Sequence, residues 1–191
     1  MEYPNWFEGT GARLNFERHL SRYKGKESVG FLQIGAFTGD ASKWMLDNIL
    51  TGKYSTLTDV DTWEGSDENS HNAMDFDDVY RVYTEKIKPY GRKVIVYRES
   101  SDSFFRDNVE TYDFIYIDGD HTAFGVMKDA INAFNALAVG GILAFDDYQW
   151  SEGRGNFYDP RPAIDAFWNM TRDKVKILEI GWQVWFQKEL D

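Results

Sequence analysis

A doubly wound α/β fold with a mostly parallel sheet is the architecture this sequence predicts, and three observations predict it. Short apolar runs of strand length alternate with helix-length segments along most of the chain. Two of those runs, Tyr112-Asp-Phe-Ile-Tyr-Ile117 and Ile142-Leu-Ala-Phe145, stop abruptly on carboxylates, at Asp118 and at Asp146-Asp147. The chain closes with two β-rich runs, 175–180 and 182–187, separated by Gly181 alone, which read as a hairpin.

Taken in order, residues 13–23 have the spacing of an amphipathic helix, with Leu14, Phe16, His19, Leu20 and Tyr23 on its apolar face. Residues 29–34 form a first strand, followed by Gly35-Ala-Phe-Thr-Gly39 and a helix over 40–50. A second strand over 54–60 ends at Asp61, and an acidic loop runs to about Met74. A helix over 76–87 is stopped near Pro89. Residues 93–97 are a third strand, 103–109 a short helix and 112–117 a fourth strand. A helix-length segment over 122–139 is closed by Gly140-Gly141, and a fifth strand covers 142–145. A loop rich in glycine and aromatics, 147–159, leads to a helix over 162–170 that tolerates proline in its first turn. The hairpin supplies the last two of seven strands and makes one strand antiparallel near an edge. No repeat or linker divides the chain, so one domain over 1–191 is expected, with 1–27 as a helical extension.

Composition narrows the function. At 191 residues, 42% hydrophobic and 17% aromatic, the chain can bury a core without covalent staples. The absence of cysteine excludes disulfides, thiolate metal sites and cysteine nucleophiles. A net charge of −11 disfavours a nucleic acid partner. No run approaches membrane-spanning length and the first residues lack the pattern of a signal peptide. A soluble cytoplasmic protein with no membrane partner is the expectation, its oligomeric state, homo-oligomer or not, left open.

Parallel strands joined by a crossover end on one edge of the sheet, so Asp118, Asp146, Asp147 and His121 converge there. Carboxylates so close resist ionising together, and a hard divalent cation would resolve the repulsion. Aspartates also cap helices and end strands routinely, and Asp120 or Thr122 suits the cap of the following helix. His121 is the candidate base near neutrality; a metal-ligand or surface role stays open for it. His19 reads as structural, and His71 has no partner that the sequence names. Gly35 and Gly39 suit a tight turn before a helix start that favours an anion, although Phe37 stands where a dinucleotide fingerprint has its middle glycine. Asp61 lies where a carboxylate grips ribose hydroxyls in this topology, while Asp59 reads as a solvated turn residue. Trp63, Trp150, Phe157 and Tyr158 read as loop aromatics on the ligand side; Trp44, Trp168, Trp182 and Trp185 read as core. Arg154 and Arg161 are the cations nearest the acidic pair in sequence, and an ordinary surface role suits either.

With these residues the chain resembles class I S-adenosylmethionine-dependent methyltransferases, a Rossmann-like fold, and is most similar to the metal-dependent O-methyltransferases of catechols and macrolide sugars. The resemblance spans roughly 29–147 and rests on Tyr-Asp-Phe-Ile-Tyr-Ile-Asp-Gly-Asp-His with Phe-Asp-Asp-Tyr. It implies that Gly35, Phe37 and Gly39 shape the pocket for the donor's methionine part, Asp61 holds its ribose and Ser101 meets its adenine end. It implies Asp118, Asp146 and Asp147 as ligands of a divalent ion, Mg²⁺ being expected, and His121 with Asp118 as catalytic residues. Two departures stand out: Gln33 replaces an acidic residue before the first glycine, and Ala41 replaces a serine for which Ser42 is the substitute. The expected reaction is methyl transfer to a hydroxyl of a small molecule or sugar. Rivals are a metal-independent methyltransferase, a non-catalytic donor- or nucleotide-binding domain, and a divalent-ion hydrolase on a similar sheet.

Overall fold

The computed structural model describes residues 3–191. Seven strands form one sheet: β1 (Gly30–Ile34), β2 (Thr56–Asp61), β3 (Val94–Arg98), β4 (Tyr112–Ile117), β5 (Leu137–Phe145), β6 (Val175–Ile180) and β7 (Val184–Lys188). Their order across the sheet is β3-β2-β1-β4-β5-β7-β6. All pairings from β3 to β5 are parallel, and β7 runs antiparallel to both β5 and β6. Among the described residues seven α-helices accompany it: α1 (Trp6–Gly9), α2 (Ala12–Leu20), α3 (Asp40–Asn48), α4 (Phe76–Ile87), α5 (Ser101–Asp107), α6 (Ala123–Ala136) and α7 (Arg161–Thr171).

The apolar runs are continuous because the sheet is covered on both faces. Alternation along β4 sends Ile115 and Ile117 into a core shared with α6 and α7, and Phe114 and Tyr116 into one shared with α2 and α3. On the second face Phe16 of α2 sits edge-on against Phe114, Tyr116 and Trp185, with ring centroids 4.9–5.7 Å apart. The α2 stripe is narrower than its spacing suggests: Phe16 and Leu20 are buried, whereas Leu14 is 57% exposed. Of the tryptophans read as core, Trp185 is fully buried, but Trp168 and Trp182 are 37% and 38% exposed.

The glycine pair does not close a helix. α6 ends at Ala136, and residues 137–139 already belong to β5, where Leu137 pairs with Tyr112. Gly140, at φ +84°, lies where the register of β4 and β5 shifts, so it serves a bulge. The buried Lys188 completes the helix end, its Nζ donating to the carbonyls of Phe134 and Leu137 at 3.1 and 2.9 Å. Short helix α5 starts two residues earlier than its spacing predicts, because Ser100 caps it by accepting from the Ser103 N–H.

Asp59 corrects a second expectation. It is no solvated turn residue but a fully buried position of β2, on the face covered by α3 and α4. Tyr83 donates to its Oδ2 at 2.7 Å, and among the described residues Oδ1 has no hydrogen-bond partner. Burial pushes the carboxyl up to about 7, with Tyr83 opposing. The folded chain therefore keeps a proton that the unfolded chain releases above about pH 4. The stability this contributes is complete below that value and is lost as pH rises towards 7. Asp59→Asn is expected to flatten the loss, narrowing the pH 5 to pH 8 difference in unfolding free energy, read from denaturant titrations, by on the order of a few kcal/mol. Parallel losses in both proteins would contradict this account of Asp59.

Candidate functional site

The chain builds β1, β2 and β3 outward, then returns to lay β4 on the other side of β1. That reversal leaves a crevice at the carboxyl ends of the strands, where such sheets bind ligands. Register decides what faces it. Ile34 pairs with Ile117 and Ile117 with Phe145. The ladder continues one residue further, the Asp118 N–H donating to Ile34 O at 2.8 Å and the Asp146 N–H to Ile117 O at 3.0 Å. The two carboxylates are thus level on adjacent strands, below a cavity of about 790 Å³.

His121 stands among them. Its Nε2 is 3.1 Å from Asp147 Oδ2 and 3.9 Å from Asp118 Oδ1, and its Nδ1 is 3.2 Å from Glu68 Oε1. One ligand atom each from Asp118, His121 and Asp147 lie within 4.8 Å of one another. Asp146 also lines the cavity but is engaged within the protein: its Oδ2 accepts from the Tyr116 hydroxyl and its Oδ1 from the Asp147 N–H. The cluster that forms is therefore two carboxylates and an imidazole, with Asp146 behind them, rather than three carboxylates. Such donors suit a divalent cation. Asp147 holds this place at φ +57°, a strained conformation for a residue with a side chain.

Crowding sets the charge states. Burial works against the charged form of His121, yet Asp118, Asp147 and Glu68 together hold it well above the usual histidine range. Burial would raise Glu68, but His121 and then Ser66 bring it down to about 2. Burial and the Asp147 carboxylate push Asp146 up to about 6, the Tyr116 hydroxyl opposing them. Asp118 is raised as well, by burial and by Asp146. Without a metal cation, the imidazolium is the counter-charge of the cluster.

The glycine loop lies beside it. A side chain at Gly35 would collide with the Asp118 carbonyl at 1.9 Å, so the loop can pass the β4 tip only as glycine. Asp61 locks the loop: Oδ2 accepts from the N–H groups of Ala36 and Phe37 at 2.8 and 2.9 Å, and Oδ1 from Trp63 N–H at 2.8 Å. Gly35, Phe37, Asp61 and Ser101 all line the cavity. Gly39 instead turns the chain into α3 at φ +78°, packed against the Tyr83 ring. Ser42 is a correction: it is fully buried and donates to Gln33 Oε1 at 3.1 Å, while Ala41 faces the cavity. Gln33 in turn donates to Gly35 O at 2.8 Å, so the residue in the acidic position braces the loop from within.

Two loops roof the cavity and join each other. Arg154 donates to the Asp67 carbonyl and carboxylate at 2.6 and 2.7 Å and lies 3.9 Å over the Tyr158 ring. Glu152 accepts from the Asn69 N–H at 2.9 Å. Trp150 stands edge-on to His121, with ring centroids 4.9 Å apart. Arg161 pairs with Asp165 at 3.6 Å on the surface. Trp63 lines the cavity only at its edge, its indole buried against Tyr80 and Tyr83 and donating to Phe37 O. His71, unpartnered in the sequence reading, has its Nδ1 2.8 Å from the Ser66 hydroxyl and lies parallel to Phe37.

Sequence reasoning missed Glu68, Asp129 and the wall tryptophans Trp6 and Trp182. Glu68 is one acid among many in its loop, and nothing local distinguishes it. Asp129 did carry a signal, a charge at helical spacing from the buried Val126 and Ala133.

Comparison with known proteins adds the family. A family model described as a methyltransferase domain matches residues 32–148, more than half of the chain. The fold is similar to that of the O-methyltransferase TomG from Streptomyces achromogenes, solved in complex with SAM, at 12% identity and a TM-score of 0.65 over 94% of this chain and 80% of that one. It is also similar to the N-methyltransferase NodS from Bradyrhizobium japonicum, at 15% identity and a TM-score of 0.65 over 97% and 98%. A curated relative, an uncharacterized protein of Acanthamoeba polyphaga mimivirus, is 28% identical over 132 residues, which is 66% of this chain but only 56% of that protein.

Glu68→Gln removes one of the three carboxylates that hold the imidazolium. The His121 pKa is expected to fall, read from the ring nitrogens by NMR titration. An unchanged value would mean that Glu68 does not support that charge.

Proposed function

The chain belongs to the methyltransferase-domain family that its residues 32–148 match, and from that premise we propose that it moves a methyl group from S-adenosylmethionine to a hydroxyl of a small molecule or sugar, assisted by a divalent cation. The observation that carries the reading is the Asp118, His121 and Asp147 cluster at the floor of a cavity large enough for donor and acceptor together. The reading treats residues 1–191 as one such domain, with 1–27 as its helical extension.

Gly35 and Phe37 lie where the methionine part of the donor would rest. Asp61 already fixes this loop, and its oxygens keep further lone pairs to accept from ribose hydroxyls. Ser101 stands at the far end, on the adenine side. Asp118 and Asp147 would hold the cation. Bound there, it would supply positive charge that lowers the pKa of the acceptor hydroxyl and takes over the imidazolium's place as counter-charge.

Neutral His121 then accepts the hydroxyl proton at Nε2 as the acceptor oxygen forms its bond to the methyl carbon. The carbon–sulfur bond breaks, its electron pair returning to sulfur and cancelling the sulfonium charge. Glu68 Oε1 lies 3.2 Å from the other ring nitrogen, and a proton kept there would leave Nε2 to face the reaction. The paired loops over residues 62–75 and 147–159 would limit water's access once donor and acceptor fill the cavity. A second reading, metal-independent transfer by His121, draws support from the short Nε2 to Asp147 distance, an ion pair that balances the cluster's charge without a cation and whose imidazolium must release its proton before the ring serves as base.

Product formation is to be followed by mass spectrometry with S-adenosylmethionine and a panel of hydroxyl acceptors. His121→Ala is expected to lower kcat by ~10²–10⁴-fold. Asp147→Ala and chelation with EDTA should each abolish turnover while calorimetry still detects S-adenosylhomocysteine binding. Turnover that survives chelation overturns the metal's part and favours the second reading.

A further inference from the structure

A second imidazole lines the cavity, and the mechanism above gives it nothing to do. His71 lies on the loop between β2 and α4 and is fixed there by its main chain: its N–H donates to Glu68 O at 3.1 Å, and its carbonyl accepts from the Met74 N–H at 3.0 Å. Its Nδ1 accepts from the Ser66 N–H at 3.1 Å, with the Ser66 hydroxyl 2.8 Å from the same atom. That hydroxyl donates to Glu68 Oε1, the oxygen that also lies 3.2 Å from His121 Nδ1. One polar pair, Ser66 and Glu68, thus holds both imidazoles from behind, each at its Nδ1. His121 turns its Nε2 to the Asp118 and Asp147 carboxylates, whereas His71 stands outside that cluster.

The contacts assign the ring proton of His71. A main-chain N–H cannot rotate away or give up its proton, so the nitrogen it meets must offer a lone pair. Burial holds the ring below the usual histidine range, Glu68 opposing, so near neutrality it is uncharged and its one proton sits on Nε2. Among the described residues Nε2 has no hydrogen-bond partner, and it is not buried, so this edge of the ring is the one open to the cavity. Its surroundings are flat and apolar. Phe37 lies parallel to the ring within 8°, and Trp6 and Phe76 stand with centroids 6.0 and 5.2 Å away. Phe37 keeps that place at φ +46°, a strained conformation for a residue with a side chain. The wall is therefore aromatic, with a single N–H donor set into it by His71.

We propose that His71 is a second anchor for the methyl acceptor: a flat acceptor with its reacting hydroxyl at His121 lays one face on the aromatic wall and presents a further oxygen to His71 Nε2–H. The proposal rests on the methyl-transfer reading above, which supplies the first anchor, and it names the acceptor class as hydroxylated rings that carry a second oxygen across the ring. That oxygen is a neutral one, such as a carbonyl. The lysine and arginine that line the cavity, Lys128 and Arg154, are already paired with Asp102 and Asp67, which leaves no cation to meet a carboxylate. An acceptor without the second oxygen would cover the His71 N–H with apolar surface and leave it unpaired. Sites of this kind discriminate by what they fail to satisfy.

The test is calorimetry on the full chain, first with S-adenosylhomocysteine and then, at saturating S-adenosylhomocysteine and Mg²⁺, with a matched pair of phenols. These are para-hydroxyacetophenone and para-ethylphenol, which has the same outline without the carbonyl oxygen. The parent protein is expected to bind the ketone ~10-fold more tightly than the ethyl compound. His71→Phe, which keeps a ring and removes the N–H, should erase that preference and leave the affinity for S-adenosylhomocysteine as in the parent. His71→Gln, whose amide can still donate, should restore part of it. Nitrogen NMR of the free parent protein should place the His71 proton on Nε2. Equal binding of the two phenols by the parent, no binding of the ketone, or a preference undiminished in His71→Phe overturns the proposal. So does a proton found on Nδ1, or a loss of S-adenosylhomocysteine affinity in His71→Phe, which would make His71 a donor contact. If His71→Phe fails to fold, the parent's preference, its change in His71→Gln and the NMR assignment still decide. Failure of the parent to bind S-adenosylhomocysteine strikes the methyl-transfer reading itself, and it shows before any phenol is added.

Discussion

The register between β4 and β5 governs this molecule. Because Ile117 lies opposite Phe145, the residues that follow them, Asp118 and Asp146, emerge side by side. A slip by one residue would turn one carboxylate to the opposite face and take the cluster apart. Holding those charges together is costly, and the chain meets that cost with a cation of its own, His121, and with the Tyr116 hydroxyl on Asp146. Tyr116 is in turn held by Gln183 at 3.3 Å, and Gln183 accepts from Trp185 and from Asn15 of α2, each at 3.1 Å. The terminal hairpin and the N-terminal helix thus reach the site through one hydrogen-bonded line.

The roof follows the same logic. The acidic loop after β2 would repel the acidic floor were it not for His121, which pairs with Glu68 and draws the loop down. Arg154 then binds that loop to the one after β5. The two loops and the floor share a small number of positive charges, so their arrangement is coupled to the charge state of the cluster. Three non-glycine residues at this rim, Phe37, Trp63 and Asp147, stand at positive φ. Strain gathered there and held by surrounding contacts is what a pre-shaped pocket requires.

Much of this was legible in the chain. The helix over 76–87 and the strand over 112–117 coincide with α4 and β4 because period, cap and stop signals agree there. Asp118, His121 and Asp147 were legible as neighbours because strand ends in a parallel sheet share an edge. Asp146 was legible as a neighbour but not as a residue turned to Tyr116, since that contact is made by an atom far along another strand. Asp59 looked solvated because it is a carboxylate two residues before the strand-ending Asp61, yet α4 lies over it. The end of α6 was misjudged because Gly140 serves equally well as a helix stop or a strand bulge, and only pairing with β4 separates the two.

By itself the sequence determined the order of strands and helices, the sheet edge at which the cavity opens and the acids that stand there, because periodicity and strand ends are local properties. Tertiary structure alone decided which acid pairs with His121 and which carboxyls lose water. Those depend on contacts across distant parts of the chain, such as Glu68 with His121 and Asn15 with Gln183, and on burial that no stretch of residues specifies alone. The chemistry of the site was written in residue types; their charge states were set by what the fold brought beside them.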